Sequence, residues 1–190
     1  TDSDWQAQVE NYSPDIVIHT AWQIRELYGN QKTGWAWNID GSDKVFDFCF
    51  GAPSVQRLVH FSTVASYGAY ADNTIEHRYT EDDPFRKSDY SYAEEKSVTE
   101  FHLEERYAKR ANKSISVAIV RPAAITGPRG RFMRIRFGLQ STLSGQMRGA
   151  FIYRLISAMV AFVPVTPKWA RQFIHEDDVV GIVERLAFGP

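Results

Sequence analysis

Tyr92 and Lys96 stand four residues apart in Ser91-Tyr92-Ala93-Glu94-Glu95-Lys96. On a helix that spacing puts two side chains on one face, a turn apart. An ammonium fixed beside a phenol favours the phenolate, drawing a tyrosine pKa down from about 10 toward the range useful for proton transfer at neutral pH. The spacing alone is not specific, since Tyr28 and Lys32 repeat it. That copy runs through Gly29 and Asn30, poor helix formers that read as a loop. In front of Tyr92, Ser91 and Glu94 match a capping box, and helix formers follow down to Ala111. The plain alternative is a half-exposed tyrosine beside a solvated lysine.

Other residues with chemical potential are few. His19 and His175 lie in apolar, strand-like runs and read as hydrogen-bonded core histidines; neither has the neighbours of a metal site. Cys49 is the single cysteine. It sits in an apolar run, which excludes an internal disulfide and a cysteine metal site and suits a reduced, cytoplasmic protein. Basic residues gather between Arg129 and Arg136, with Arg148 and Arg154 beyond. They suit either a solvated loop or a site for an anion.

The elements that would position these residues alternate. Residues 5–13 read as a helix end, and Asp15 to His19 as a buried parallel strand with Thr20, Ala21 and Trp22 at its carboxyl end. A polar loop over 23–33 leads to a helix from Trp35 to Phe50, stopped by Gly51-Ala52-Pro53. Arg57 to Thr63 forms a strand ending in hydroxylic residues, followed by a long polar loop over 66–89. After the helix bearing Tyr92, Ile115 to Val120 is again a buried strand, closed by Arg121-Pro122. Helices are expected near 134–146 and 150–162. A strand at Phe173 to His175 precedes a closing helix whose first turn carries Glu176, Asp177 and Asp178. Strands alternating with helices predict an α/β fold with a parallel sheet.

Composition bounds the function. The 190 residues are 44% hydrophobic, enough for one sizeable core. A net charge of −1 supplies no attraction to nucleic acid or an anionic membrane. The longest apolar run, Ala158 to Val165, is too short to cross a bilayer.

Taken in order, several segments form one series: Asp15 to Ala21, Asn38-Ile39-Asp40-Gly41-Ser42, Phe61-Ser62-Thr63 running to Tyr67-Gly68, and Tyr92 to Lys96. Arg121-Pro122 to Gly127-Pro128 and Arg171-Gln172-Phe173-Ile174-His175-Glu176-Asp177-Asp178 complete it. In order and spacing the series resembles the extended short-chain dehydrogenase/reductases, the NAD-dependent epimerase/dehydratase family, over essentially the whole chain. The resemblance implies a Rossmann-like, doubly wound parallel sheet. Members of the family open with a glycine-rich βαβ unit that holds the dinucleotide pyrophosphate. No Gly-x-x-Gly-x-x-Gly occurs among the 12 glycines here. The chain is therefore expected to be an internal fragment, truncated at its amino end, that binds dinucleotide weakly or not at all. Residues 1–126 would be the remainder of the dinucleotide-binding domain, with the catalytic residues, and residues 127–190 part of a small substrate-binding region with a returning strand and helix.

By resemblance Tyr92 is the acid/base, Lys96 lowers its pKa and binds the nicotinamide ribose, and Thr63 holds the reacting oxygen. The further contacts to NAD or NADP implied are Ala21, Trp22, Asn38, Ser62, Pro122 and Ala123; Trp22 stands where a small residue is usual. Val64 and Ala65 follow the catalytic threonine where dehydratases and decarboxylases carry acids, which disfavours those reactions. Arg171 matches an arginine that grips substrate phosphate in sugar-nucleotide epimerases. Ala124 replaces an asparagine usual in those enzymes. The resemblance therefore implies hydride transfer at a hydroxyl or carbonyl carbon, with a nucleotide-sugar epimerase first. A reductase or dehydrogenase acting on another substrate follows, and an inactive structural or RNA-associated subunit is third. A homodimer through the Tyr92 helix is the family habit and stays open here.

Overall fold

The computed structural model of the protein describes residues 4–24, 31–68, 70, 72–129 and 172–189. The expected helices near 134–146 and 150–162, as well as Tyr28 and Arg171, lie outside the described residues. Strands β1 (Ile16–His19), β2 (Arg57–Phe61) and β3 (Ser116–Val120) form a parallel sheet in that order. Ile16 is in register with Arg57, and Arg57 with Ser116. Strands β4 (Ala124–Thr126) and β5 (Phe173–His175) make a second parallel pair. β4 has no counterpart in the sequence reading, because three residues just beyond a proline carry too little pattern to read.

Apolar strands of a parallel sheet need cover on both faces. Leu58 of β2, with Val17 and Val117 of its neighbours, packs against Phe46, Phe48, Cys49, Phe50 and Leu103 from helices α3 (Gly41–Gly51) and α4 (Ser91–Lys109). Helix α1 (Asp4–Tyr12) adds Trp5 and Val9 to this side. Val59 and Val120, one residue along, point the other way and meet Val183 and Ala187 of the closing helix α5 (Glu176–Phe188). The two-residue period of the strands thus sorts side chains between two helical layers. Each side chain buried this fully contributes about 1.5–3 kcal/mol. Between α3 and α4, Asp43 takes His102 Nδ1 and Arg106 at 3.0 Å each, locking the two helices at the surface.

The helical stretch begins earlier than expected and reaches α3 by an unusual route. Helix α2 (Gln31–Trp35) contains Lys32, in place of the expected loop. A single π-helical turn, Ala36–Asp40, then connects α2 to α3. Such turns carry one extra residue and cluster at functional sites; no Gly or Pro marks this one in the sequence. At α4, Tyr90 is the N-cap and makes no side-chain capping bond. The expected box is replaced by Glu94, whose carboxylate accepts from the Ser88 backbone N–H at 3.2 Å. His175 is not a core residue: it is exposed, and its Nδ1 caps α5 by accepting from the Asp177 N–H at 3.2 Å. Gly68 has φ +82°, and a Cβ there would lie 2.3 Å from the Tyr70 ring, so only glycine fits. Among the described residues no helix is long and apolar enough to cross a membrane, and no cluster of His, Cys, Asp or Glu could hold a metal.

Two histidines are buried together in this core. The rings of His19 and His60 stack with centroids 5.4 Å apart, and Phe46 meets both edge-on. Neither ring nitrogen of His60 has a hydrogen-bond partner among the described residues. Burial, and then the Lys96 charge, lowers His19 to about 4 and His60 to about 2. Both folded pKa values therefore lie below the unfolded value of about 6.5, so below that pH the unfolded chain binds protons that the folded one refuses. Stability is complete above about pH 6.5 and is lost as pH falls, by about 1.4 kcal/mol per pH unit for each histidine. Urea unfolding between pH 7 and pH 5 measures this slope. His60→Phe is expected to flatten it by about half and to raise stability at pH 7, since it removes two unmet polar atoms. An unchanged slope would contradict the assignment.

Candidate active site

The carboxyl end of β2 organises the site. Past Phe61 the chain stays beside β3, because Ser62 N donates to Val120 O at 2.8 Å and Val64 N to Pro122 O at 3.2 Å. Thr63 therefore lies just beyond the strand, extended at φ −162°, as the N-cap of a 3-10 turn over Val64–Tyr67. Its hydroxyl accepts from Ala65 N at 3.2 Å. The first turn of α4 brings the Tyr92 phenol beside that same buried hydroxyl, near enough for Thr63 to act on its titration.

Lys96 follows one turn later and is 4% exposed. Its ammonium donates to Phe61 O at 2.6 Å and lies 3.6 Å from the centroid of the Trp22 ring, which is also edge-on to Tyr92. Burial lowers the lysine to about 8, against the opposing charge of Glu100. The expectation that Lys96 depresses the Tyr92 pKa is not met. Burial raises the phenol above its ordinary value, outweighing the opposing effect of the Thr63 side chain. Lys96 is directed at Phe61 O and Trp22, so its charge does not set the titration of the phenol. Tyr92 is accordingly held as a neutral phenol at pH 7, ready to give a proton.

The remaining candidates surround this pair. Ser62 is buried, and its Oγ, with Ser66 Oγ and Trp22 Nε1, has no hydrogen-bond partner among the described residues. Ala21 is exposed at the end of β1, and Pro122 and Ala123 are half-buried between β3 and β4. Asn38, in the π turn, is buried and spends its amide on Gln23 and Glu95. Unmet donors at the carboxyl end of a parallel sheet suit a ligand rich in acceptor oxygens, such as a ribose. The set fits the sugar portion of a dinucleotide, provided that the ligand displaces the Trp22 ring or reaches Lys96 beside it.

Several residues at the site were given no role by the sequence. Arg121 pairs with the buried Glu100 through Nη2 at 2.7 Å and donates to Tyr67 Oη at 2.7 Å; Tyr67 Oη donates to Thr80 O at 2.9 Å. This chain ties α4, the end of β3 and the long loop together around Thr63 and Tyr92. Glu100 is one of several acids on a helix, and only its burial distinguishes it.

The sequence model of the NAD dependent epimerase/dehydratase family matches residues 1–187. An uncharacterized protein of Mycobacterium tuberculosis is 27% identical over 183 residues, which cover 94% of this chain and 42% of that one. The chain thus spans less than half the length of the curated relatives it matches. Among solved structures, MoeE5 in complex with UDP-glucose and NAD is similar, with TM-score 0.60, 26% identity, and coverage of 92% of this chain and 52% of that one. A short-chain dehydrogenase/reductase superfamily protein from Agrobacterium tumefaciens with bound NAD gives TM-score 0.69 at 17% identity, covering 97% and 59% of the two chains. Those likenesses agree with a Rossmann-like α/β fold built on a parallel sheet.

Proposed function

Because the chain belongs to the NAD dependent epimerase/dehydratase family, we propose that it carries the catalytic residues of an NAD(P)-dependent enzyme that epimerises a nucleotide sugar. The observation that carries this reading is the placement of the buried Thr63 hydroxyl beside the Tyr92 phenol at the carboxyl end of β2. NAD(P), when bound, supplies the acceptor and donor of hydride. Everything else falls to side chains of this chain. The Thr63 hydroxyl holds the substrate oxygen, and the Tyr92 phenol passes a proton to that oxygen or takes it back. Lys96 and Ser62 offer donors to the ribose, with Ala21, Trp22, Pro122 and Ala123 around it. Asn38 holds the loop at its edge. Arg171 is proposed to meet the substrate phosphate.

Val64 and Ala65, next to Thr63, carry no proton to transfer, which favours epimerisation over elimination of water. The likeness to MoeE5, a protein solved with UDP-glucose and NAD, supports a nucleotide sugar as substrate. A second reading, reduction of another carbonyl, is favoured by Ala124, which offers the sugar no polar contact. Proton NMR of UDP-glucose or UDP-N-acetylglucosamine incubated with the intact protein and NAD separates the two. Epimerisation is expected to bring the C4 epimer to equilibrium with no net NADH. Absence of epimer together with steady consumption of NAD(P)H on a carbonyl substrate would replace the first reading by the second.

A further inference from the structure

Between Tyr92 and Lys96 the helix presents a third functional group. We propose that Glu95 is a positioning residue, whose carboxylate holds Asn38 so that Asn38 pins the strand-end loop carrying Trp22 against the helix carrying Tyr92 and Lys96. The role in activity rests on the reading above, whereas the clamp itself stands on geometry alone.

Asn38 is 3% exposed, and its side chain is fully engaged. Oδ1 accepts from Gln23 N at 2.7 Å, while Nδ2 donates to Gln23 O at 3.0 Å and to Glu95 Oε2 at 2.6 Å. The Gln23 N–H fixes which end of the amide is oxygen, and both Nδ2 protons are then spent. One side chain thus grips both backbone polar groups of Gln23. The residue before it, Trp22, lays its ring on Lys96. Glu95, next to Lys96 and three residues beyond Tyr92, is the residue of α4 to which the Asn38 amide donates.

The other end of Asn38 is held as firmly. Its carbonyl accepts from Ser42 Oγ at 2.5 Å, and Ser42 Oγ meets His19 Nε2 at 2.9 Å. Since the hydroxyl proton goes to Asn38 O, the imidazole must donate through Nε2, which agrees with the neutral form that burial imposes on His19. A buried chain therefore runs from β1 through Ser42 and the π turn to the loop at Gln23 and, through Glu95, to α4. The extra residue of the π turn leaves one unit of backbone out of the regular ladder, and a π turn without side-chain anchors would be free to shift. A shift of about 1 Å at a catalytic side chain can cost about 10²-fold in rate.

The test uses the intact protein with Glu95→Ala, Glu95→Gln and Asn38→Ala. Glutamine keeps an acceptor oxygen for Asn38 Nδ2 and removes the charge. Hydrogen exchange at the Gln23 amide reports the clamp directly, because that N–H donates to Asn38. Exchange is expected to accelerate about 10-fold or more in Glu95→Ala and Asn38→Ala and to stay near wild type in Glu95→Gln. In parallel, kcat on the accepted substrate falls about 10- to 100-fold in Glu95→Ala and is restored within about 3-fold by Glu95→Gln. Unchanged exchange in Glu95→Ala would overturn the clamp whatever the activity. A Glu95→Gln variant as impaired as Glu95→Ala would also overturn it, because charge and not the hydrogen bond would then be what matters. An inactive wild type with the expected exchange pattern would leave the clamp in place and remove the proposed function.

Discussion

Tyr92→Phe in the intact protein is expected to lower kcat by about 10²- to 10⁴-fold, the usual contribution of a positioned acid/base. The effect should be confined to chemistry. Phenylalanine keeps the ring that meets Trp22 edge-on and Tyr90 at 5.6 Å. It loses only the phenol oxygen, which Thr63 neighbours. KM and the unfolding midpoint should therefore stay close to wild type, so that kcat and kcat/KM fall together, as when an interaction of the transition state is removed. Because burial holds the phenol above its ordinary pKa, the wild-type enzyme should keep Tyr92 protonated throughout the neutral range in its free form. A pH profile of kcat/KM with no tyrosine break below about pH 9 is the companion result.

The second large effect is on stability. Glu100 is 1% exposed and holds Arg121 through three contacts at 2.7 to 3.1 Å. Glu100→Ala leaves the guanidinium, itself under a fifth exposed, without its counter-charge. Removing one member of a buried ion pair costs about 3–5 kcal/mol, because the other charge stays desolvated and unpaired. For a chain of this size that corresponds to a fall in Tm on the order of 10 °C. Glu100→Gln, which keeps an acceptor, should lose less. Replacing both partners by apolar residues of similar volume should recover most of the loss. Thermal unfolding of the four proteins decides it: equal losses for Glu100→Ala and the double apolar variant would mean that packing, not charge, is what Glu100 supplies. The Arg121 link to Tyr67 and Thr80 adds a local consequence, faster proteolysis within the loop at residues 72–89 in Glu100→Ala.

Much of the scaffold can be read directly from residue types. The runs at Ile16–His19, Arg57–Phe61 and Ser116–Val120 are apolar without alternation, which only a strand covered on both faces tolerates. The helix from Ser91 to Lys109 follows from its formers, and the closing helix from the acids at its first turn. What cannot be read depends on where side chains end up in space. The π turn leaves no residue signature, yet it aims Asn38 at Glu95. The direction of the Tyr92 shift is set by burial of the phenol, while Lys96 turns to Phe61 O and the Trp22 face, contacts made across 35 residues in one case and from a separate strand end in the other. Glu95 and Glu100 look alike on a helix full of glutamates, and only tertiary packing gives one a clamp and the other a buried arginine.

The central claim is that Thr63 and Tyr92 act as one unit on the reacting oxygen. A double-mutant cycle on kcat in the intact protein, with Thr63→Val, Tyr92→Phe and the pair, tests it most directly. The account predicts strong non-additivity: each single variant impaired, and the double variant no more than about 3-fold worse than Tyr92→Phe alone. Additive losses, or a Thr63→Val enzyme with wild-type kcat, would contradict it.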